Sequence, residues 1–327
     1  MTTATLERAP SLVDWLLDDR WPAVRRLALL ELLDRPAAHP DVEALSQGLA
    51  ADPWVAPLLA GTPAHAYAKW TGAHWRLFAL AELGVTIETH GAEGAIREMF
   101  DQELAWLLSP GRRRRLKPIR GLTRNCSSQE GAGLWAAVQL GLGDDPRLLD
   151  VARRLVEIQW PDGGWNCDIK PGAHHSSFNE SWMPLRSLVA ARSIPGASDI
   201  DGLEAAIERS AEFFLRHRVV ESERTGDLAS ERVGYLRWPP YWHYALIPGL
   251  RALAEAGRLD DPRARAGLDR LVALRSEDGR WWPDGRYWTG PGSKGSGVEL
   301  VSWGREGEAR MLTLQALQLL RLAGIEA

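Results

Sequence analysis

Five stretches of this chain end alike, in apolar residues at helical spacing followed by a glycine, and that recurrence leaves few folds open. They are Leu77 to Gly84, Trp135 to Gly141, Leu185 to Arg192 closing at Gly196, Leu250 to Gly257, and Leu317 to Gly324. A glycine after the last apolar turn supplies the left-handed residue that ends a helix, because it has no Cβ to clash. The stops recur at intervals of roughly 55 to 67 residues, a period that fits helical hairpins. Between them lie more polar segments, Ala95 to Leu108, Pro146 to Gln159, Leu203 to Arg218 and Pro262 to Arg275. Their charges fall on one stripe and their Leu, Val and Ala on the other, as in an outer layer. No alternating strand pattern appears. The expected fold is all-α, a single (α/α) toroid of about five to six helical hairpins. Its small-residue helices stand inside around a central cavity, with the amphipathic helices outside.

Residues 61–327 carry this pattern. Residues 1–60 differ: Leu12 to Leu17 and Pro22 to Leu30 predict two short helices packed on the toroid, with prolines at 36, 40 and 53 breaking the chain. The starts of the inner helices also repeat. Ser127 with Glu130, and Ser177 with Glu180, fit the capping box. Pro240 suits the first turn of another inner helix. If the inner helices run parallel, Cys126, His174, His175 and His243 gather at one rim.

Composition removes several classes of function. The net charge of −4 gives no nucleic-acid footprint. The run Arg112 to Arg115 with Lys117 predicts a solvated loop. Two cysteines make no disulfide framework, Met1 to Pro10 lack a signal-peptide pattern, and no apolar run approaches a membrane span. The expectation is a cytoplasmic protein with no integral membrane segment, its oligomeric state open. Sixteen Trp against five Phe and five Tyr suggest heavy stacking or an aromatic-lined cavity. Gly290 to Gly295 has the literal Gly-x-Gly-x-x-Gly spacing but follows no strand, so no nucleotide cofactor is expected. Asp284 to Gly297 predicts a loop, a candidate lid.

The densest motif is Gln159-Trp160-Pro161-Asp162-Gly163-Gly164-Trp165-Asn166-Cys167-Asp168, followed by His174-His175-Ser176-Ser177. A reduced copy stands at Leu271 to Trp281, with Arg275 in place of the glutamine. Leu155, Gln159 and Asp162 to Trp165 resemble the QW repeat of squalene–hopene cyclases. The wider strings Gly164 to Asp168, His175 to Phe178 and Tyr241 to Tyr244 are similar to short bacterial squalene cyclase-like and prenyltransferase-like proteins. The resemblance covers roughly Lys69 to Gly324. It implies the toroid of terpenoid cyclases and protein prenyltransferase β-subunits, and a hydrophobic small-molecule ligand. It says little about the reaction, since one fold hosts many chemistries. The Asp-x-Asp-Asp protonation motif of class II cyclases is missing; Asp199-Ile200-Asp201-Gly202 lacks its last aspartate.

Asn166, Cys167, Asp168 and His175 are absent from the reduced copy, so the fold does not require them, and the candidate chemistry gathers around them. Cys126, Cys167 and His175 are candidate ligands of a zinc ion, because thiolate and imidazole suit that metal. The prenyltransferase resemblance implies a zinc site of the same kind. The bland alternative is two cysteines packed as small hydrophobes; a third reading makes Cys126 a nucleophile lowered in pKa by a helix N-terminus. His243, Asp168, Glu130 and Glu180 are candidate acids and bases, the two glutamates being capping residues first. Trp70, Trp75, Phe178, Trp182, Trp242, Tyr244 and Trp303 are candidate cavity-lining residues for an apolar ligand, where rings also stabilise cations. The functional expectation is a non-canonical terpene cyclase-like enzyme, a cyclase, isomerase or transferase. The alternative is a non-catalytic hydrophobic-ligand-binding, resistance or scaffold protein on the same toroid.

Overall fold

The computed structural model describes residues 11–115, 118–295 and 297–326. The N-terminal segment Met1 to Pro10, Lys117 and the side chains of Arg113 to Arg115 lie outside the described residues. The chain opens with α1 (Leu12–Leu16), α2 (Pro22–Glu31), α3 (Pro40–Gly48) and α4 (Val55–Leu59). Then α5 (Ala73–Glu82), α6 (Glu93–Leu107), α7 (Pro110–Arg115), α8 (Ser127–Gln139) and α9 (Arg147–Glu157) follow. It closes with α10 (Phe178–Ala191), α11 (Leu203–Arg216), α12 (Leu246–Glu255), α13 (Arg265–Ala273) and α14 (Arg305–Leu322). A two-residue antiparallel pair, β1 (Pro118–Ile119) and β2 (Leu122–Thr123), joins α7 to α8. The basic run thus contributes a short helix and leads into a hairpin, rather than forming a plain loop.

The protein is an all-α toroid. Helices α5, α8, α10, α12 and α14 pack successively as the inner layer. Each outer helix bridges two of them: α6 spans α5 and α8, α9 spans α8 and α10, α11 spans α10 and α12, and α13 spans α12 and α14. Helix α2 packs on α14 and α4 on α5, and their apolar residues join the same core cluster. All five predicted glycine stops are left-handed, with φ between 65° at Gly324 and 85° at Gly196.

The inner helices are parallel. At one end, the backbone N–H of Ser128 in the first turn of α8 donates to Glu180 in the first turn of α10, at 3.0 Å. Toward the other end, Glu82 of α5 accepts from Arg186 of α10 (2.9 Å), from Arg251 of α12 and from Gln315 of α14 (3.1 Å). Arg186 also pairs with Glu255 and lies over the Trp135 ring. A buried ionic knot therefore ties four inner helices near their C-terminal ends.

Two turns fasten outer to inner helices in the same way. Gln159 donates to the Gly163 carbonyl at 2.9 Å, and the Trp165 indole donates to Leu155. Arg275 donates to the Gly279 carbonyl at 2.9 Å, and the Trp281 indole donates to Leu271. Arginine replaces glutamine because the geometry asks only for an N–H donor. Gly163 has no substitute: its φ is +101°, and a Cβ there would lie 2.2 Å from the Arg209 carbonyl oxygen.

Three local expectations need correction. Cys126 and Ser177 cap α8 and α10 without a side-chain hydrogen bond, so neither capping box forms. Helix α12 begins at Leu246, leaving Pro240 to His243 in the turn before it. The segment from Asp284 is pinned to the body: Asp284 exchanges hydrogen bonds with Leu236, Arg286 pairs with Glu308, and Tyr287 stacks on His243. Among the described residues no helix is long and apolar enough to cross a membrane.

Candidate active site at the helix rim

The cysteines meet because α8 and α10 approach unusually closely. A Cβ on Gly131 of α8 would lie 2.5 Å from the Pro184 nitrogen of α10, so only glycine fits there. Pro184 has no N–H to leave unpaired at that contact. The approach brings the cap of α8, Cys126, beside the α10 end and the loop that precedes it. Cys126 Sγ, Cys167 Sγ and a Glu180 carboxylate oxygen lie within 4.8 Å of one another. The Cys167 thiol donates to Glu180 Oε1 at 3.2 Å, while Glu180 Oε2 accepts the Ser128 N–H. Glu180 thus caps the neighbouring helix instead of its own. It is only 5% exposed, whereas both cysteines are half-buried.

The electrostatics of the cluster follow from this packing. A hydrogen-bond contact between the two sulfurs lowers the Cys126 thiol, against the opposing effects of burial and the Glu180 charge. The same hydrogen bond, then burial and the Glu180 charge, push the Cys167 thiol up. Burial raises Glu180, opposed by the Ser128 N–H and the Cys167 thiol. Of the two sulfurs, Cys126 is therefore the one favoured as thiolate.

A layer that no motif announced surrounds these atoms. The Tyr67 phenol is pushed up to about 12, mainly by burial; a hydrogen bond with Gln129 works the other way, and the charges of Cys126 and Glu180 reinforce it. Its ring stacks on Trp106 at 4.9 Å and lies the same distance from Trp75. Arg112 covers the other ring neighbour, its guanidinium 4.4 Å from the Trp106 ring centre, and bonds Gln129. The only signal in the sequence was the aromatic spacing of Tyr67, Trp70 and Trp75 ahead of and into α5.

The other predicted residues stand elsewhere. His175 is not in the three-atom cluster: its carbonyl accepts from Asn166, its ring lies 4.0 Å from that of His174, and it lines a separate cleft. Asp168 accepts the Lys170 N–H within its own loop. Glu130 is ion-paired with Arg154 at 2.9 Å and faces Arg112 at 3.8 Å, so its charge is already matched. His243 stacks face to face on Tyr287 and is lowered to about 3, chiefly by burial, so it is neutral near pH 7.

The expected aromatic lining is mostly packing. Trp70, Trp75, Trp182, Tyr244 and Trp303 are buried. Tyr241 packs beside two of them; it stacks on Trp70 at 4.6 Å, meets Trp75 and Phe78, and donates to Glu299. It does so from a left-handed backbone (φ 48°), which is uncommon for a bulky residue. Trp303 packs on Trp54 and Trp238. Of the seven, Phe178 and Trp242 keep partial exposure. Phe178 lines a cleft of about 570 Å³ together with Phe213, His217, His175 and Arg216. That cleft runs beside the loop that carries Cys167.

No protein-family model and no curated protein matches the chain. Among solved structures, it is similar to a protein from Actinoplanes at a TM-score of 0.42 and 16% identity, covering 96% of this chain and 97% of that one. It is also similar to the apo form of the type II terpene cyclase MstE from Scytonema, at a TM-score of 0.30 and 13% identity. That alignment covers 95% of this chain and 99% of the cyclase. At such scores neither likeness bears on what this chain does.

Proposed function

We propose that the toroid is a zinc-dependent enzyme whose site is the rim between α8 and α10, acting on a hydrophobic small molecule. The observation that carries this is the convergence of Cys126, Cys167 and Glu180, which come from two helix starts and a loop. Two sulfurs and a carboxylate oxygen are a donor set that suits zinc, and three protein ligands leave a position for substrate, as in catalytic zinc sites. Cys126, Cys167 and Glu180 would hold the ion, with Glu180 in the place the sequence assigned to His175. Bound there, zinc would supply a Lewis acid.

The chain's own residues supply the rest. The Ser128 N–H orients the Glu180 carboxylate, and the thiol proton of Cys167 already points at the same group. Tyr67 and Trp106, stacked on each other and partly exposed, offer an apolar face that favours an apolar molecule over water, with the buried Trp75 packed behind Tyr67. The resemblance to squalene cyclase-like proteins supports a terpenoid-like substrate and a cyclase, isomerase or transferase reaction. Metal analysis of protein purified without a histidine tag tests the reading: about one equivalent of zinc is expected, falling below about a tenth in Cys126→Ala and in Glu180→Ala. Zinc content that ignores both substitutions would refute it.

The second reading, a non-catalytic hydrophobic-ligand-binding, resistance or scaffold protein, is favoured by the cleft at Phe178 and Phe213. Ligand-induced melting shifts without turnover, unchanged by alanine at Cys126 and Cys167, would select it.

A further inference from the structure

We propose that Cys126 and Cys167 also act, when no ion holds them, as a dithiol that reduces a hydroperoxide and closes to an intramolecular disulfide. This chemistry uses the same three atoms as the zinc reading but does not require it. The two sulfurs share a space within 4.8 Å with a carboxylate, and both cysteines are only half-buried. Cys126 is the N-cap of α8 and its sulfur makes no capping hydrogen bond, while the Cys167 proton is already directed at Glu180 Oε1 at 3.2 Å. These are the parts a two-step thiol oxidation needs: an accessible attacking sulfur, a resolving thiol beside it, and an acceptor for the second proton. The chain has no other cysteine, so this is the only disulfide it can form within itself.

The chemistry balances. The Cys126 sulfur attacks one peroxide oxygen; the O–O bond breaks, and its electron pair leaves on the other oxygen. That oxygen takes the thiol proton of Cys126 and departs as an alcohol, or as water from hydrogen peroxide. Cys126 is left as a sulfenic acid. Cys167 then attacks the Cys126 sulfur and hands its proton to Glu180. The S–O bond breaks, and the departing hydroxide takes that proton to leave as water. Two thiols have lost two electrons, and the hydroperoxide has gained them.

The test uses reduced, chelator-treated wild-type protein and one equivalent of hydrogen peroxide, alongside the same protein preloaded with zinc. In the ion-free protein, both thiols should vanish together, with a mass loss of two hydrogens and a non-reduced digest linking the Cys126 and Cys167 peptides. Cys167→Ser should instead stop at a sulfenic acid that dimedone traps on Cys126. Thiols that persist, chains joined to one another, or separate overoxidation of each cysteine would overturn the inference. Because the digest is performed on wild type, the result does not depend on how well the variant folds. Zinc that fails to bind or to protect the thiols counts against the metal reading alone; failure of the ion-free protein to close the disulfide counts against the dithiol chemistry alone.

Discussion

Buried charge does two different jobs in this protein, and single residues separate them. Arg186 is 1% exposed and holds Glu82 and Glu255 together across three inner helices. Burial alone would raise Glu82, but Arg251 and Arg186 outweigh it and hold that carboxyl low. Removing one partner of such a pair leaves the other buried without compensation. Arg186→Met should therefore cost about 3–5 kcal/mol in urea unfolding; a loss under about 1 kcal/mol, the range of an exposed pair, would show the knot to be dispensable. Glu308 is the opposite case. Burial raises it to about 7, and Arg286 only partly resists. The folded state then binds this proton more tightly than the unfolded chain does. The stabilising contribution is complete below pH 4.5 and is lost as pH rises toward 7. The stability of wild type relative to Glu308→Gln should fall by up to about 3 kcal/mol across that window. A difference that stays flat from pH 4.5 to 8 would contradict the assignment.

At the scale of helices, the site is a consequence of one close crossing. Gly131 admits the α10 backbone at Met183 and Pro184, and without it α8 would stand off and carry Cys126 away from Cys167. Gly131→Ala should destabilise by about 1–3 kcal/mol, the usual cost of overpacking, and weaken zinc binding as well. Gly94→Ala in α6 is the control. No neighbour lies near its missing Cβ, so it should be neutral or stabilising by up to about 1 kcal/mol. Equal effects at the two glycines would remove the crossing as the cause. This dependence also explains what the sequence could and could not disclose. The helix stops were legible because each glycine answers to its own helix alone. The capping boxes at Ser127 and Ser177 were misread because both glutamates have partners on other helices, Glu130 on Arg154 of α9 and Glu180 on the Ser128 N–H 52 residues away, that local spacing does not encode.

For the whole molecule, the inner–outer alternation was readable from apolar periodicity, since each helix declares its buried stripe. The state of the centre was not. The aromatic count is the same whether the rings line a cavity or fill it, and the inward turn of Tyr241 onto Trp70 depends on a left-handed backbone at a non-glycine residue. A cavity of about 160 Å³ remains between the inner helices at Glu82, Trp135, Arg186, Arg251 and Gln315, while Cys126, Cys167 and Glu180 meet at the opposite rim, from two inner-helix starts and the loop before α10. Cys167 was legible as a candidate because the reduced copy of the turn at Trp281 lacks it, and Cys126 because it stands among polar residues at an inner-helix start; their third partner was legible as a capping residue and candidate acid or base, not as a metal ligand. Zinc K-edge absorption on the zinc-loaded protein tests that centre most directly. The account predicts two sulfur neighbours at about 2.3 Å and an oxygen at about 2.0 Å, with one sulfur lost in Cys167→Ser. A shell of nitrogen and oxygen alone, or sulfur coordination unchanged by that substitution, would contradict it.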